Sequence, residues 1–271
     1  MPNLLVKQTG DTGRVIHVTP ETAGWTYVGF DLYRLKPGET ARNLSESRET
    51  CLVFVTGKGE VTTGTTRFGE LGKRTSPFEG KPYAVYIPAG ADWAVTATTD
   101  LELAVCTAPG TPHSRPAQAY TPDDLEIEHR GKGTNVRHVT NILSDADDRA
   151  DSLLVVEVIT PAANTSSYPP HKHDKDDFPN ETLLEETYYH RLNPPQGFAF
   201  QRVYTDDRSL DEAMAVEDGN VTLVPEGYHP VATCHGYDSY YLNVMAGPRR
   251  AWRFHNAKEH EWLLKARESD D

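Results

Sequence analysis

Short runs of alternating apolar and polar residues recur along the whole chain, separated by turns rich in glycine and proline. Residues 27–35, Tyr27-Val28-Gly29-Phe30-Asp31-Leu32-Tyr33-Arg34-Leu35, predict a strand that Lys36-Pro37-Gly38-Glu39 brings to a turn. Residues 51–55 form a wholly apolar run before the Gly57-Lys58-Gly59 turn, and residues 83–87 lead into Pro88-Ala89-Gly90. Residues 93–97 and 101–105 read as an antiparallel pair, residues 4–20 as an edge strand with a turn, and the polar stretch 73–81 as a solvated loop. Strand-like runs far outnumber plausible helices. This predicts an all-β protein built on jelly-roll or related barrels.

After a Pro-, Ala- and Thr-rich linker at residues 107–119, the organisation repeats. Runs at 153–160 and 182–191 correspond loosely to those near Tyr27 and Cys51, and Leu223-Val224-Pro225-Glu226-Gly227 parallels Tyr86-Ile87-Pro88-Ala89-Gly90. The parallel predicts two barrels in tandem, over residues 1–115 and 120–271. The second copy continues into Tyr228-His229 where the first has Ala91-Asp92, and no His-x-His lies between residues 44 and 51. Only the second barrel is therefore expected to hold a metal.

The chemistry gathers in that second half. In an extended segment, residues two apart share a face, so His171 and His173 can both point inward while Lys172 points away. A third imidazole, His229, follows the Pro225-x-Gly227 turn. The same alternation makes Glu185 and Glu186 mutually exclusive as a fourth ligand. Glu186 ranks first and shares its face with Tyr188 and His190; Glu185 is next, and Glu181 lies in a polar loop expected to face solvent. Three imidazoles and a carboxylate suit a divalent metal of intermediate hardness, with zinc or manganese first.

Composition narrows the partners. The 271 residues carry 27 basic and 40 acidic side chains, a net charge of −13, which argues against a general nucleic-acid or anionic-membrane binder. Three scattered cysteines form neither a disulfide framework nor a zinc-finger pattern, and neither a signal-peptide apolar region nor a membrane-length run is present. A cytoplasmic setting is expected. The segment 252–264, with Trp252, Phe254 and Trp262, is expected to pack across a barrel or subunit surface, which leaves a homo-oligomer open.

His171-x-His173, the strand glutamates and Pro225-x-Gly227-x-His229 resemble the two halves of a cupin metal motif, with a longer gap before Glu186 and His229 one residue early. A closer resemblance spans nearly the whole chain. Ser76-Pro77-Phe78-Glu79-Gly80-Lys81-Pro82, Tyr168-Pro169-Pro170-His171-Lys172-His173-Asp174 and Leu184-Glu185-Glu186-Thr187-Tyr188-Tyr189 carry it. So do residues 194–205, residues 224–230 and Tyr241-Leu242-Asn243-Val244-Met245-Ala246-Gly247-Pro248. These strings resemble the 5-deoxy-glucuronate isomerase (IolB) family of inositol catabolism.

The resemblance implies a bicupin of two tandem jelly-roll-type barrels. It also implies a divalent metal at His171, His173, Glu186 and His229, and an aldose–ketose isomerisation of a small deoxyuronate. Tyr188, Tyr204, Tyr240 or His190 would supply the base, and Arg202 or Arg191 would clamp the substrate carboxylate. A cupin dioxygenase, another sugar isomerase and a non-catalytic sugar-binding bicupin are the rival expectations.

Overall fold

The computed structural model describes residues 3–265, and their regular secondary structure is almost entirely β-strand. The first half builds a six-stranded sheet in the spatial order Gln118–Tyr120, Tyr83–Ile87, Arg48–Thr56, Leu101–Pro109, Gly29–Leu35, Gly13–Val18. A four-stranded sheet of Thr40–Ser45, Ala91–Ala97, Gly59–Thr63 and Thr66–Leu71 covers one face of it. The second half repeats the plan. Its seven-stranded sheet runs Leu5–Val6, Val221–Val224, Glu185–Asn193, Asp238–Ala246, Leu154–Thr160, Arg137–Leu143, Glu126–Arg130, with Thr165–Ser166, Val231–Thr233, Phe198–Tyr204 and Asp211–Glu217 opposite.

Side-chain parity explains the layering. Along Arg48–Thr56, Leu52 and Phe54 join Val85, Ile87, Trp93, Val95, Leu103 and Val105 in the interior of the first barrel. The alternate residues Cys51, Val53 and Val55 join the core shared with the second half, where Phe30 stacks on Tyr189 at 5.8 Å. A strand buried on both faces reads as one continuous apolar run, which is why residues 51–55 show no alternation. The first barrel is thus filled largely by its own hydrocarbon.

Two carboxylates tie the halves together in the same way from opposite sides. Glu49, opening the strand Arg48–Thr56, accepts the backbone N–H groups of Asp151, Ser152 and Leu153 at 2.8, 2.6 and 2.6 Å. Glu185 opens the matching strand Glu185–Asn193 and accepts those of Thr26, Tyr27 and Val28 at 2.6, 2.6 and 3.0 Å. Each triplet of amides leads into the strand that follows it in the partner half. The first strand adds to the tie: Leu5 and Val6 pair with Thr222 and Val221, so the sheets cross the expected division at residues 115–120.

Two further buried acids sit between the large sheets. Glu157 takes two hydrogen bonds from Arg74, at 3.0 and 2.8 Å, and one from the Tyr240 hydroxyl at 3.1 Å. Arg74 belongs to the stretch expected to be a solvated loop, yet its side chain is only 4% exposed. Its charge is stable there because Glu157 offsets the desolvation. Glu102 likewise accepts from Tyr189 at 2.7 Å, Arg191 at 2.6 Å and Arg34 at 3.2 Å.

Candidate metal centre

The second barrel differs from the first in what lines it. Glu186, Tyr188 and His190 occupy successive inward positions of Glu185–Asn193, beside Asn243 and Tyr241 of Asp238–Ala246. All five are buried, as are Gln201, Thr222 and Ser166. Several polar atoms here have no protein partner, among them Ser166 Oγ, Thr222 Oγ1, His190 Nδ1 and Gln201 Nε2. Buried polar groups are normally satisfied, so these atoms are available to a polar ligand.

At one end of this row His173, Glu186 and His229 converge, with one ligand atom from each lying within 4.8 Å of the others. Glu186 Oε2 is 3.2 Å from His173 Nε2 and 3.3 Å from His229 Nε2. The outer nitrogens are already committed: His173 Nδ1 donates to the Leu184 carbonyl at 3.0 Å and His229 Nδ1 to the Gly227 carbonyl at 2.9 Å. Those bonds fix the tautomer that leaves each Nε2 lone pair facing the centre. His229 Nε2 is buried without a hydrogen-bond partner, so the donor set fits a divalent ion.

Electrostatics agree with this. Burial pushes the His229 imidazole down to about 3, so it is neutral, and able to coordinate, near pH 7. Burial acts against charge on His173 as well, but its contact with Glu186 outweighs it and holds that imidazole above the ordinary value.

His171 stands at the open side of the group. Its ring centre is 4.9 Å from His229 and 6.3 Å from His173, and Phe254 lies against it at 4.6 Å. Burial, then the neighbouring His173 and the positive charge of Arg137, depress it to about 3. It borders the three-residue group but is not part of it. Its strand, His171–Lys172, is short and pairs only with His255–Asn256.

The remaining expected site residues divide by parity. Tyr188 lies inside, its hydroxyl 3.0 Å from Ser167 Oγ and its ring 5.9 Å from His229. His190 also lies inside, with Nε2 on Gln201 Oε1 at 3.0 Å, and burial lowers it to about 4. Four others lie away from the cluster. Tyr240 faces the opposite side of the sheet, on Glu157; it is Tyr241, paired with His190, that looks inward. Arg191 has the parity of Glu185 and Tyr189, and is held between the halves by Glu102 and by Asp218 at 2.8 Å. Arg202 is 45% exposed and forms a two-bond pair with Asp211, both at 2.7 Å. Tyr204 packs outside the centre against Tyr228, at 5.1 Å, under Arg202 and Arg208.

Sequence reasoning missed Arg137. It has the inward parity of Val139 on Arg137–Leu143 and sits directly across from Arg130. Nη1 donates to the Asn135 carbonyl at 3.1 Å, and Asn135 in turn donates to the carbonyl of Tyr168, in the turn before His171. Arg137 also acts, after burial and two serine hydroxyls, on the Tyr241 phenol. The signal available in the sequence was its place two residues before Val139, in a strand whose other face carries His138.

Comparison with known proteins places the chain among relatives. A family model described as the KduI/IolB family matches residues 4–263. The 5-deoxy-glucuronate isomerase of Geobacillus kaustophilus (strain HTA426) is 52% identical over 258 residues, 95% of this chain and 93% of its own. The solved structure of an IolB-like protein from Salmonella typhimurium LT2 superposes with a TM-score of 0.94 at 56% identity, covering 97% of this chain and 99% of that one. An oxalate decarboxylase from Bacillus subtilis, which has Mn(II) centres, aligns with a TM-score of 0.64 at 12% identity, covering 98% and 84%. That likeness identifies the fold as a bicupin.

Proposed function

The chain belongs to the KduI/IolB family, and from that premise we infer that it is a 5-deoxy-glucuronate isomerase. The observation that carries the reading is identity of 52% and 50% with enzymes of that name from two species, each over 93% or more of both chains. The reaction converts the aldose 5-deoxy-D-glucuronate to the ketose 5-dehydro-2-deoxy-D-gluconate, and the family's IolB name connects it with inositol breakdown. No net oxidation occurs: a proton passes from the hydroxyl-bearing carbon to the former aldehyde carbon, and the hydroxyl proton passes to the former aldehyde oxygen.

His173, Glu186 and His229, with His171 completing the set, would hold one divalent ion, zinc or manganese. When bound, such an ion is a Lewis acid that stabilises negative charge on adjacent sugar oxygens. Tyr188 stands at that end of the row, its ring 5.9 Å from His229. Burial and the nearby Glu186 raise its phenol well above the ordinary value, so it remains protonated and donates a hydrogen bond to a developing oxyanion. His190 lies two residues further along the strand, roughly 7 Å of rise. With Gln201 it meets the hydroxyls of the distal carbons, His190 Nδ1 accepting and Gln201 Nε2 donating.

We assign the substrate carboxylate to Arg137, the inward-parity arginine nearest His171 and Tyr241. A planar guanidinium matches a carboxylate with two parallel bonds. Arg137→Met is expected to raise KM for the deoxyuronate by roughly tenfold to a hundredfold, the effect of one charge-assisted pair, while kcat changes less. Steady-state kinetics check it, and an unchanged KM would remove Arg137 from this role.

Among the described residues no helix is long and apolar enough to cross a membrane. The function is tested by anaerobic turnover of 5-deoxyglucuronate, using metal-free protein refilled separately with zinc and manganese. Magnetic resonance should show the 2-deoxy-5-keto acid as product without oxygen; failure to turn over with any divalent ion rejects the assignment.

A further inference from the structure

Lys172 lies between two expected metal ligands, points away from the centre, and is still almost completely buried, with its side chain 4% exposed. Its ammonium is 2.8 Å from Asp174 Oδ1, 3.2 Å from Asp206 Oδ2 and 4.0 Å from Glu181 Oε1, and it sits 5.8 Å over the Tyr228 ring. The Tyr228 hydroxyl donates to Asp206 at 2.9 Å. Glu181, expected to face solvent, is buried here and accepts the backbone N–H groups of Asp174 and Lys175 at 2.8 and 3.2 Å. The other Asp174 oxygen, Oδ2, reaches across the chain to accept the Gly227 N–H at 2.9 Å.

Gly227 is the hinge of this arrangement. Its φ is +85°, and a Cβ there would come within 2.4 Å of the Tyr204 carbonyl oxygen, so the residue that links the two peptide units is confined by backbone while Asp174 holds its N–H. The Gly227 carbonyl is the acceptor that orients His229 Nδ1. An unbroken path of polar contacts therefore runs from Lys172 through Asp174 and the Gly227 backbone to His229. It ties the His-x-His strand to the turn that delivers the third imidazole from more than fifty residues away in the chain.

We propose that Asp174, anchored by the buried Lys172, is the positioning residue that sets the His229 imidazole in the metal centre. The proposal rests on the metal-centre reading above. Asp174 is outside the ligand group and acts by fixing the backbone at Gly227, whose carbonyl orients His229. Losing such an outer partner typically weakens metal binding by roughly tenfold to a hundredfold.

The test uses the full chain stripped of metal, with zinc affinity measured by competition against a chromophoric chelator and ligand geometry read from the visible spectrum of the cobalt(II)-loaded protein. Asp174→Asn leaves Lys172 paired with Asp206 and Glu181. It is expected to bind zinc roughly tenfold to a hundredfold more weakly and to shift the cobalt bands, with the melting temperature of the metal-free protein little changed. Asp211→Asn, at the exposed pair with Arg202, should behave as the parent.

Parental zinc affinity and cobalt spectrum in Asp174→Asn, with binding abolished in His229→Ala, would overturn the proposal and leave the metal centre standing. Parental zinc affinity in His229→Ala would remove the metal centre and the proposal together. Should Asp174→Asn fail to fold, Lys172→Gln takes its place: weaker zinc binding and shifted bands support the proposal, and parental values overturn it.

Discussion

Glu186→Gln is expected to fold and yet to lose both tight metal binding and turnover. The carboxylate touches both His173 and His229 within 3.3 Å, and it is the only anionic member of the three-residue group. An amide keeps the volume but carries no charge to offset a divalent ion. Activity should fall by roughly a hundredfold to a thousandfold or more, the scale seen when one preorganised electrostatic partner is removed from a reacting centre. Excess zinc or manganese should restore the chelator-stripped parent and fail to restore the variant. The added thermal stability that a bound ion gives the parent should be lost as well, since only the native state binds it. A variant that keeps parental turnover and metal content would show that the reaction is carried elsewhere.

Glu185→Ala, one residue earlier, is expected to do the opposite. It strips three backbone N–H groups, those of Thr26, Tyr27 and Val28, of their shared acceptor at the boundary between the halves. Only the Val28 amide is fully buried, and an unsatisfied buried donor costs about 1–3 kcal/mol, so a loss in that range is expected, measured by urea unfolding. Any protein that does fold should bind metal like the parent. Glu49→Ala is expected to match it, because it leaves the amides of residues 151–153 and the Tyr86 hydroxyl without their acceptor. A loss below 1 kcal/mol in both variants would show that water replaces these carboxylates at little cost.

The contrast between these adjacent glutamates shows how far the sequence can be read. Alternation establishes that only one of them faces the cavity, and it groups Glu186 with Tyr188 and His190. It also places Arg191 on the face of Glu185, so its position opposite the His190 face was legible from parity alone. The choice between Tyr240 and Tyr241 was not, because it depends on the register that pairs Tyr241 with His190. Nor was the burial of Arg74 or Lys172. Arg74 lies in a polar stretch that looks solvated until Glu157 arrives from the second half, and Lys172 is covered by distant Asp206 as well as by its neighbour Asp174. The duplication was visible at the Pro-x-Gly turns, whereas the apolar filling of the first barrel emerged only when Leu52, Phe54 and Trp93 met inside it.

The pairing of Leu5 and Val6 with residues 221 and 222 has a bearing on how the molecule is made. A ribosome must deliver more than four-fifths of the chain before the opening strand finds its neighbour. Until then that strand presents unpaired backbone, and Glu49 likewise waits for the amides of residues 151–153. The N-terminal barrel, although it closes its own hydrocarbon interior, is left an incomplete nascent unit. Shortening the gene to the metal-bearing half would therefore discard the first strand of the sheet that holds the ligands.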